Sequence, residues 1–319
     1  VNTKLLPDKG NVWERTQAFL RGTANASYST FQTTLKEIDR FAPNGEGRFY
    51  NYFMGLWQEC NNKLFSQHSD NCSAVASMLR TTLGLKGKND ADIISAVIEQ
   101  ADAKFLGTIT YSKGVDRTGD LIEPEEKPVT VSTAMFIIAM WRQTMYRNSL
   151  IKHGIDQPMI DTLYDLVNKE NEGYITFMNW VNESLLPNTR LVYDKVHREM
   201  FGASMAEERN YFPARVVNFQ ETVDVGNDNE GALPSTITGA IINRKKNALM
   251  PDITQNYFKV LMGHLQEMDQ WSAFAPLIRD LNTLLSNTEF KNACRQYKGG
   301  VKADRKGLGD LYSIFRNVS

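Results

Sequence analysis

The most apolar stretch of the sequence is Ala134-Met135-Phe136-Ile137-Ile138-Ala139-Met140-Trp141, which ends at Arg142. A membrane-spanning helix needs about 18 to 20 consecutive apolar residues, so this run is too short to cross a bilayer. It lies inside a longer helical pattern that starts at Thr130-Val131-Ser132 and reaches Lys152-His153, with Gly154 at the expected end. We therefore predict one long helix here, in a soluble protein with no membrane span.

Helical spacing of apolar residues recurs over most of the chain. An aromatic-rich helix face runs from Phe49 to Leu64, and a helix of about thirty residues is predicted from Asp252 or Thr254. Pro276 lies inside that helix, where we expect it to produce a kink. The predicted fold class is mainly α: an irregular helical bundle in which an extended arm lies between two helical halves.

Capping residues and helix breakers predict where the elements begin and end. The predicted helix starts are Ser69 or Asp70, Asn89 or Asp90, and Asp156, and the predicted ends are Gly84, the segment 168–172, Pro187 and Gly202. Between Gly107 and Pro128, β-type residues at 108–111 predict a short strand. The rest of that segment is predicted to be an acidic surface loop or a docking strip, with Asp116, Asp120, Glu123, Glu125 and Glu126.

A second irregular segment divides the chain. Pro213 biases Phe212 toward an extended conformation, and the run from Gly226 to Gly231 predicts a polar turn. The predicted regions are an N-terminal helical region at 1–206, an extended arm or linker at 207–234, and a C-terminal long-helix region at 235–319.

Composition and motifs narrow the functional classes. The 319 residues include 36 lysines and arginines against 37 aspartates and glutamates, so a net charge of −1 gives no general attraction to nucleic acid. The sequence has no motif of a nucleotide-binding loop, a serine hydrolase or a zinc protease. Its three cysteines and four histidines lack zinc-site spacing and are Cys60, Cys72, Cys294, His68, His153, His197 and His264. We expect reduced, buried thiols, surface or helix-end histidines, and no catalytic residue, cofactor or metal ligand.

The strongest local charge lies near the end of the sequence. Between 291 and 316, seven basic residues accompany two acidic ones. The residues of this basic patch that we single out for contact with phosphate or with a protein partner are Lys291, Arg295, Lys298, Lys302, Arg305 and Lys306. A nucleic-acid-binding module would use the basic patch in a strongly salt-dependent manner. An acidic protein surface would use the same charges, and both alternatives stay open.

The second half of the chain carries a family resemblance. The segment Glu208-Arg209-Asn210-Tyr211-Phe212-Pro213 resembles the E-x-N-Y-F/M-P entry to an extended arm in large polyvalent proteins of phages and of conjugative or integrative elements. Leu233-Pro234-Ser235 with Gly239 and Arg244-Lys245 is similar to a later stretch of that family. The helix from His264 to Leu281 continues the resemblance, which covers about residues 130–300.

The resemblance implies a non-enzymatic structural or interaction segment. Such a segment would belong to a virion-packaged cargo or ejected protein, located in the virion and then in the host cytoplasm. Its partners would be other virion or element proteins, with DNA as an alternative partner. The structural arm motif would comprise Asn210, Tyr211, Phe212, Pro213, Arg279 and Asp280, because polar side chains beside Pro213 can pin an extended arm to helices.

Three other functions remain as alternatives. The first is the nucleic-acid-binding module on the basic patch. The second is a host-directed counter-defence protein. The third is an enzyme of unfamiliar type, which would need carboxylates with perturbed pKa values in a polar pocket, around Glu207 and Glu208.

Overall fold

The computed structural model describes residues 47–112, 124–207, 210–213 and 253–288. The described part is mainly α, which confirms the predicted fold class. The elements are helices α1 (Arg48–Leu83) and α2 (Asp90–Ala103), strands β1 (Phe105–Tyr111) and β2 (Glu125–Thr130), helices α3 (Val131–Arg142), α4 (Thr144–Lys152), α5 (Gln157–Glu170) and α6 (Glu172–Trp180), a π-helical turn (Val181–Leu185), and helices α7 (Leu186–Phe201) and α8 (Tyr257–Ser286).

The chain divides into two compact units. Among the described residues, the first unit contains 47–65 and 270–288, and the second contains 66–112, 124–207, 210–213 and 253–269. Helices α1 and α8 each contribute residues to both units. The predicted arm at 207–234 is described only at 207 and 210–213, so the division into 1–206, 207–234 and 235–319 stays a prediction.

In the first unit, the beginning of α1 packs against the end of α8. The rings of Trp57 and Phe274 lie 5.0 Å apart between centroids. The apolar contact also includes Cys60, Leu64, Ala273 and Ile278. The ammonium group of Lys63 donates a hydrogen bond to the backbone oxygen of Ser272, at 2.9 Å. Helix α1 therefore meets α8 through both aromatic packing and a side-chain hydrogen bond to a backbone carbonyl.

Helix α3 is the centre of the second unit. All its residues from Val131 to Trp141 are buried. It contacts α2, α4, α5, α6 and β2. A helix that is apolar on every face is stable only when neighbours enclose it on every side. Thr130 caps its beginning by accepting the N–H of Thr133, so the most apolar stretch of the sequence forms the central helix of the core.

The prediction of one helix from Thr130 to His153 is wrong at Gln143, which separates α3 from α4. Gln143 is extended, with φ −89° and ψ 121°. Its buried side chain donates to the backbone oxygen of Phe212 at 3.0 Å. In a continuous helix the Gln143 side chain would point in a different direction. Arg147 donates to the carbonyl of Trp141 at 3.1 Å and so satisfies an acceptor at the interrupted helix end.

The predicted short strand is confirmed as β1, which pairs antiparallel with β2. The predicted acidic loop is wrong for Glu125 and Glu126, which belong to β2; Asp116, Asp120 and Glu123 lie outside the described residues. Pro128 is accommodated in β2 because a two-stranded sheet leaves each strand an outer edge where no ladder donor is needed.

Two predicted helix boundaries, a start at Ser69 or Asp70 and an end at Pro187, are wrong. Ser69 and Asp70 start no helix: α1 is continuous over 36 residues, and both side chains are exposed on its surface. Pro187 does not end a helix either. The π-helical turn at Val181–Leu185 precedes it, so Pro187 falls in the first turn of α7, where proline is tolerated.

Other boundaries are confirmed by the geometry of their caps. The side chains of Asn89, Asp156 and Asn171 each accept a backbone N–H at a helix start. Gly84 and Gly202 follow helix ends with φ of 64° and 69°, the left-handed conformation that glycine adopts without strain.

Helix α8 has the predicted length and contains Pro276, but it begins later than predicted. Its first residue is Tyr257, because Asn256 accepts the N–H of Lys259 at 2.8 Å and caps the helix there. Asp102, in the last turn of α2, in turn accepts from the Asn256 amide at 2.6 Å and from the Lys259 ammonium group at 3.0 Å.

Two elements of the second unit approach each other closely at Gly173, near the start of α6. A Cβ atom there would lie 2.0 Å from the backbone oxygen of Thr82, near the end of α1. We expect Gly173→Ala to destabilise the protein by about 1 to 3 kcal/mol, because backbone must move to relieve the overlap. Urea unfolding followed by circular dichroism measures this change in the free energy of unfolding.

Gly263, within α8, is the matched control. A Cβ atom added there meets nothing within 4 Å. Because alanine favours the helix, Gly263→Ala should raise the free energy of unfolding by about 0.5 to 1 kcal/mol. The close approach at Gly173 is contradicted if both variants change stability in the same direction.

Candidate functional site

The predicted arm motif begins with a short segment bound to the core of the second unit. Asn210 has a φ of 57°, the left-handed region that asparagine tolerates better than most residues. Its side-chain amide donates to the backbone oxygen of Arg142 at 3.4 Å. Phe212 is fully buried and stacks on Tyr257, with 4.5 Å between ring centroids, and it meets Phe136 edge-on at 6.2 Å.

The other predicted motif residues also have structural contacts. Pro213 is buried beside Phe212. Tyr211 lies against the imidazole of His264, with ring centroids 5.6 Å apart. Arg279 and Asp280 form an exposed ion pair with each other at 2.8 Å on α8.

The residues predicted for the alternative functions are only partly described. Lys291, Arg295, Lys298, Lys302, Arg305 and Lys306 all lie outside the described residues. Glu207 is exposed, and Glu208 also lies outside the described residues. The described side chain of this pair therefore does not line a buried pocket.

A polar cluster that the sequence reasoning missed lies around the fully buried side chain of Asp269. The Tyr193 hydroxyl donates to Oδ1 at 2.8 Å. The Asn71 amide contacts Oδ1 at 2.9 Å and Oδ2 at 3.1 Å. Nδ1 of His68 lies 3.0 Å from Oδ2. We call these residues, with Cys72, the Asp269 cluster.

Three helices position the Asp269 cluster. His68, Asn71 and Cys72 follow one another at spacings of three and one on α1, so they share a helix face. Tyr193 lies on α7 and Asp269 on α8. The cluster therefore joins α1, α7 and α8 within the second unit, through partners separated by up to 201 positions in the chain.

Electrostatics make the cluster an ion pair. The hydrogen bond to Asp269, together with a weaker one to Cys72, raises the pKa of His68 to about 10, against the opposing effect of burial. His68 is therefore an imidazolium at neutral pH. Burial, and then the Asp269 carboxylate, raise the pKa of Tyr193, so its hydroxyl stays protonated and donates.

The thiol of Cys72 completes a line of three side chains. Its Sγ lies 3.5 Å from Nε2 of His68, while Nδ1 of the same ring faces Asp269. Cys72 is a free, partly buried cysteine. Chemically, the arrangement can do two things. It can anchor three helices through one buried carboxylate, and it can activate a thiol through an oriented imidazolium.

Other candidate binding features are weaker. A groove of about 450 Å³ lies between the β1–β2 hairpin and α5, and its apolar lining includes Leu106, Ile109, Met159 and Leu163. It shares no residue with the Asp269 cluster. Over residues 47–112, 124–207, 210–213 and 253–288, no group of three or more His, Cys, Asp or Glu side chains is arranged to hold a metal ion. None of the helices in these ranges combines the length and apolar composition that crossing a membrane requires.

Comparison with protein-family models, with curated proteins and with solved structures finds no match for the chain.

Replacing Asp269 should be costly, because it would leave the Tyr193 hydroxyl and the Asn71 amide without their acceptor and would remove the charge that holds the proton on His68. We expect Asp269→Ala to lower the free energy of unfolding by about 3 to 5 kcal/mol. Asp165, exposed on α5, gives a matched Asp→Ala control that should change it by no more than about 0.5 kcal/mol. Equal effects of the two substitutions in urea unfolding would show that the buried carboxylate is not an anchor.

The ion pair also predicts how stability depends on pH. Because folding raises the pKa of His68 from 6.5 to about 10, the folded state binds the extra proton. The stabilisation is fully present below about pH 6.5 and is lost as the pH rises through about 10. The stability difference between the parent and His68→Gln should therefore shrink between about pH 6 and pH 10.

This comparison needs a control for the other titratable side chains of the cluster, which are Cys72, Tyr193 and Asp269. The comparison of the parent with His68→Gln is therefore repeated with Cys72→Ser present in both proteins, so that the thiol does not contribute to the pH dependence. A difference between the two proteins that stays constant over the pH range would show that His68 gains no proton on folding.

Proposed function

We propose that this chain is a non-enzymatic structural or interaction segment of a phage or mobile-element protein, packaged in the virion and passed into the host cytoplasm. The proposal rests on the resemblance of 208–213 and 264–281 to large polyvalent proteins. The observation that carries it is the burial of Phe212. The side chain at the centre of the resembling motif packs between Phe136 and Tyr257, so this part of the motif specifies a fold and not a ligand.

The backbone of the motif supports the same conclusion. The carbonyl of Phe212 accepts a buried hydrogen bond from Gln143, at the point where α3 ends. Asn210 contacts the carbonyl of Arg142 at that same helix end. The motif thus satisfies polar groups that the interruption between α3 and α4 would otherwise leave free, as expected of a segment that holds an arm on a helical core.

Exposed apolar side chains favour an interaction with another protein. Phe65 and Leu191 are 71% and 65% exposed. Val192 is exposed directly beside Leu191 on α7. Large apolar side chains in water are costly, and adjacent ones on a surface are typical of protein-binding sites. In this proposal, other virion or element proteins cover such residues, and DNA on the basic patch is the alternative partner.

Mass spectrometry of purified virions, with the termini of the chain mapped, tests the proposal. We expect peptides of this chain in virions, and we expect the number of copies per virion to be unchanged by washing in high salt. Host proteins of similar abundance serve as the contamination control. Peptides found only in infected host cytoplasm would contradict virion packaging and would favour the host-directed counter-defence alternative.

A further inference from the structure

The line from Cys72 through His68 to Asp269 has the order of a nucleophile, its proton partner and an orienting carboxylate. Sγ of Cys72 and Nε2 of His68 are 3.5 Å apart, and Nδ1 of His68 and Oδ2 of Asp269 are 3.0 Å apart. We infer that Cys72 is a nucleophilic thiol that reacts with small electrophiles of the hydroperoxide class. This site is independent of the arm motif and goes beyond the proposed structural function.

The position of the imidazole ring is fixed from both sides. Asp269 holds Nδ1, and Asp269 is itself held by the Asn71 amide and the Tyr193 hydroxyl. Because His68 and Cys72 are four residues apart on α1, the other ring nitrogen faces the sulfur. An imidazolium has N–H groups on both nitrogens, so Nε2–H donates to Sγ. A donated hydrogen bond from a cation favours the thiolate, which is the reactive form of cysteine.

Cys60 on the same helix provides the contrast. Its surroundings raise its pKa, chiefly through burial, with an added effect of Glu59 against the opposing charge of Lys63. Burial without an oriented imidazolium disfavours the thiolate. Both Cys60 and Cys72 are free and partly buried. A difference in their reactivity would therefore reflect the side chains that contact each thiol more than the exposure of the thiol.

The proposed reaction balances with the groups of the cluster. The Cys72 thiolate attacks one oxygen of the hydroperoxide, the S–O bond forms and the O–O bond breaks. The departing oxygen takes the proton from Nε2 of His68 and leaves as water or an alcohol. Sulfur loses two electrons and becomes a sulfenic acid, while the peroxide is reduced. Solvent then returns a proton to His68. Partial burial of Cys72 restricts the reaction to small reagents.

The first test uses the full chain with Cys294→Ser, so that only Cys60 and Cys72 remain. Iodoacetamide near neutral pH, followed by peptide mass spectrometry, gives the alkylation rate of each thiol. We expect Cys72 to react about tenfold faster than Cys60, or more. After hydrogen peroxide, a sulfenic-acid trap such as dimedone should label Cys72 and leave Cys60 unlabelled. Equal rates, or slower reaction at Cys72, would overturn the inference without any substitution in the cluster.

The second test assigns the effect to His68. In His68→Gln, we expect alkylation of Cys72 to slow by about tenfold while the rate at Cys60 is unchanged, because glutamine keeps a polar side chain but removes the cation. Circular dichroism reports whether the variant remains folded. If His68→Gln is folded and Cys72 reacts as fast as in the parent, His68 does not activate the thiol. Asp269→Asn, which removes the orienting charge with little change in shape, should slow Cys72 in the same direction.

Discussion

The enclosure of α3 is the constraint on which the second unit depends. Helix α3 is buried on all sides, so it is fully removed from water only when α2, α4, α5, α6 and β2 are all in place. Each large apolar side chain of such a helix contributes roughly 1.5 to 3 kcal/mol on burial. The helix also organises the start of α8, because Ser132 on α3 accepts the backbone N–H of Tyr257 at 3.0 Å.

Buried polar groups then decide how the helices meet around this centre. The interruption at Gln143 and the carboxylate of Asp269 are both places where a polar side chain is kept away from water and hydrogen-bonded to a distant part of the chain. Removing charges from water is costly, so a buried ion pair adds little net stability compared with an apolar replacement. Its effect is on arrangement, because only one placement of α1, α7 and α8 brings all the donors to the Asp269 carboxylate.

Local sequence rules accounted for the features that depend on neighbours along the chain. Asn89, Asp156 and Gly202 mark helix boundaries as predicted, because a cap involves residues three or four positions away. The interruption at Gln143 could not be predicted in this way, since its partner Phe212 is 69 positions distant. The Asp269 cluster joins residues about 200 positions apart, and a lone histidine and aspartate on helices resemble surface residues. The only sign of the Asp269 cluster in the sequence was the i, i+4 spacing of His68 and Cys72, which places both side chains on one helix face.

The binding of several donors to the single carboxylate of Asp269 limits how the sequence can change during evolution. Loss of any one partner leaves a buried polar atom or a buried charge unmatched, so positions 68, 71, 193 and 269 constrain one another although they are distant in the chain. Drift at these positions would proceed by coordinated replacement, with an apolar residue at 269 accompanied by apolar residues at 71 and 193. Such correlated change would make a three-helix junction traceable from sequences alone.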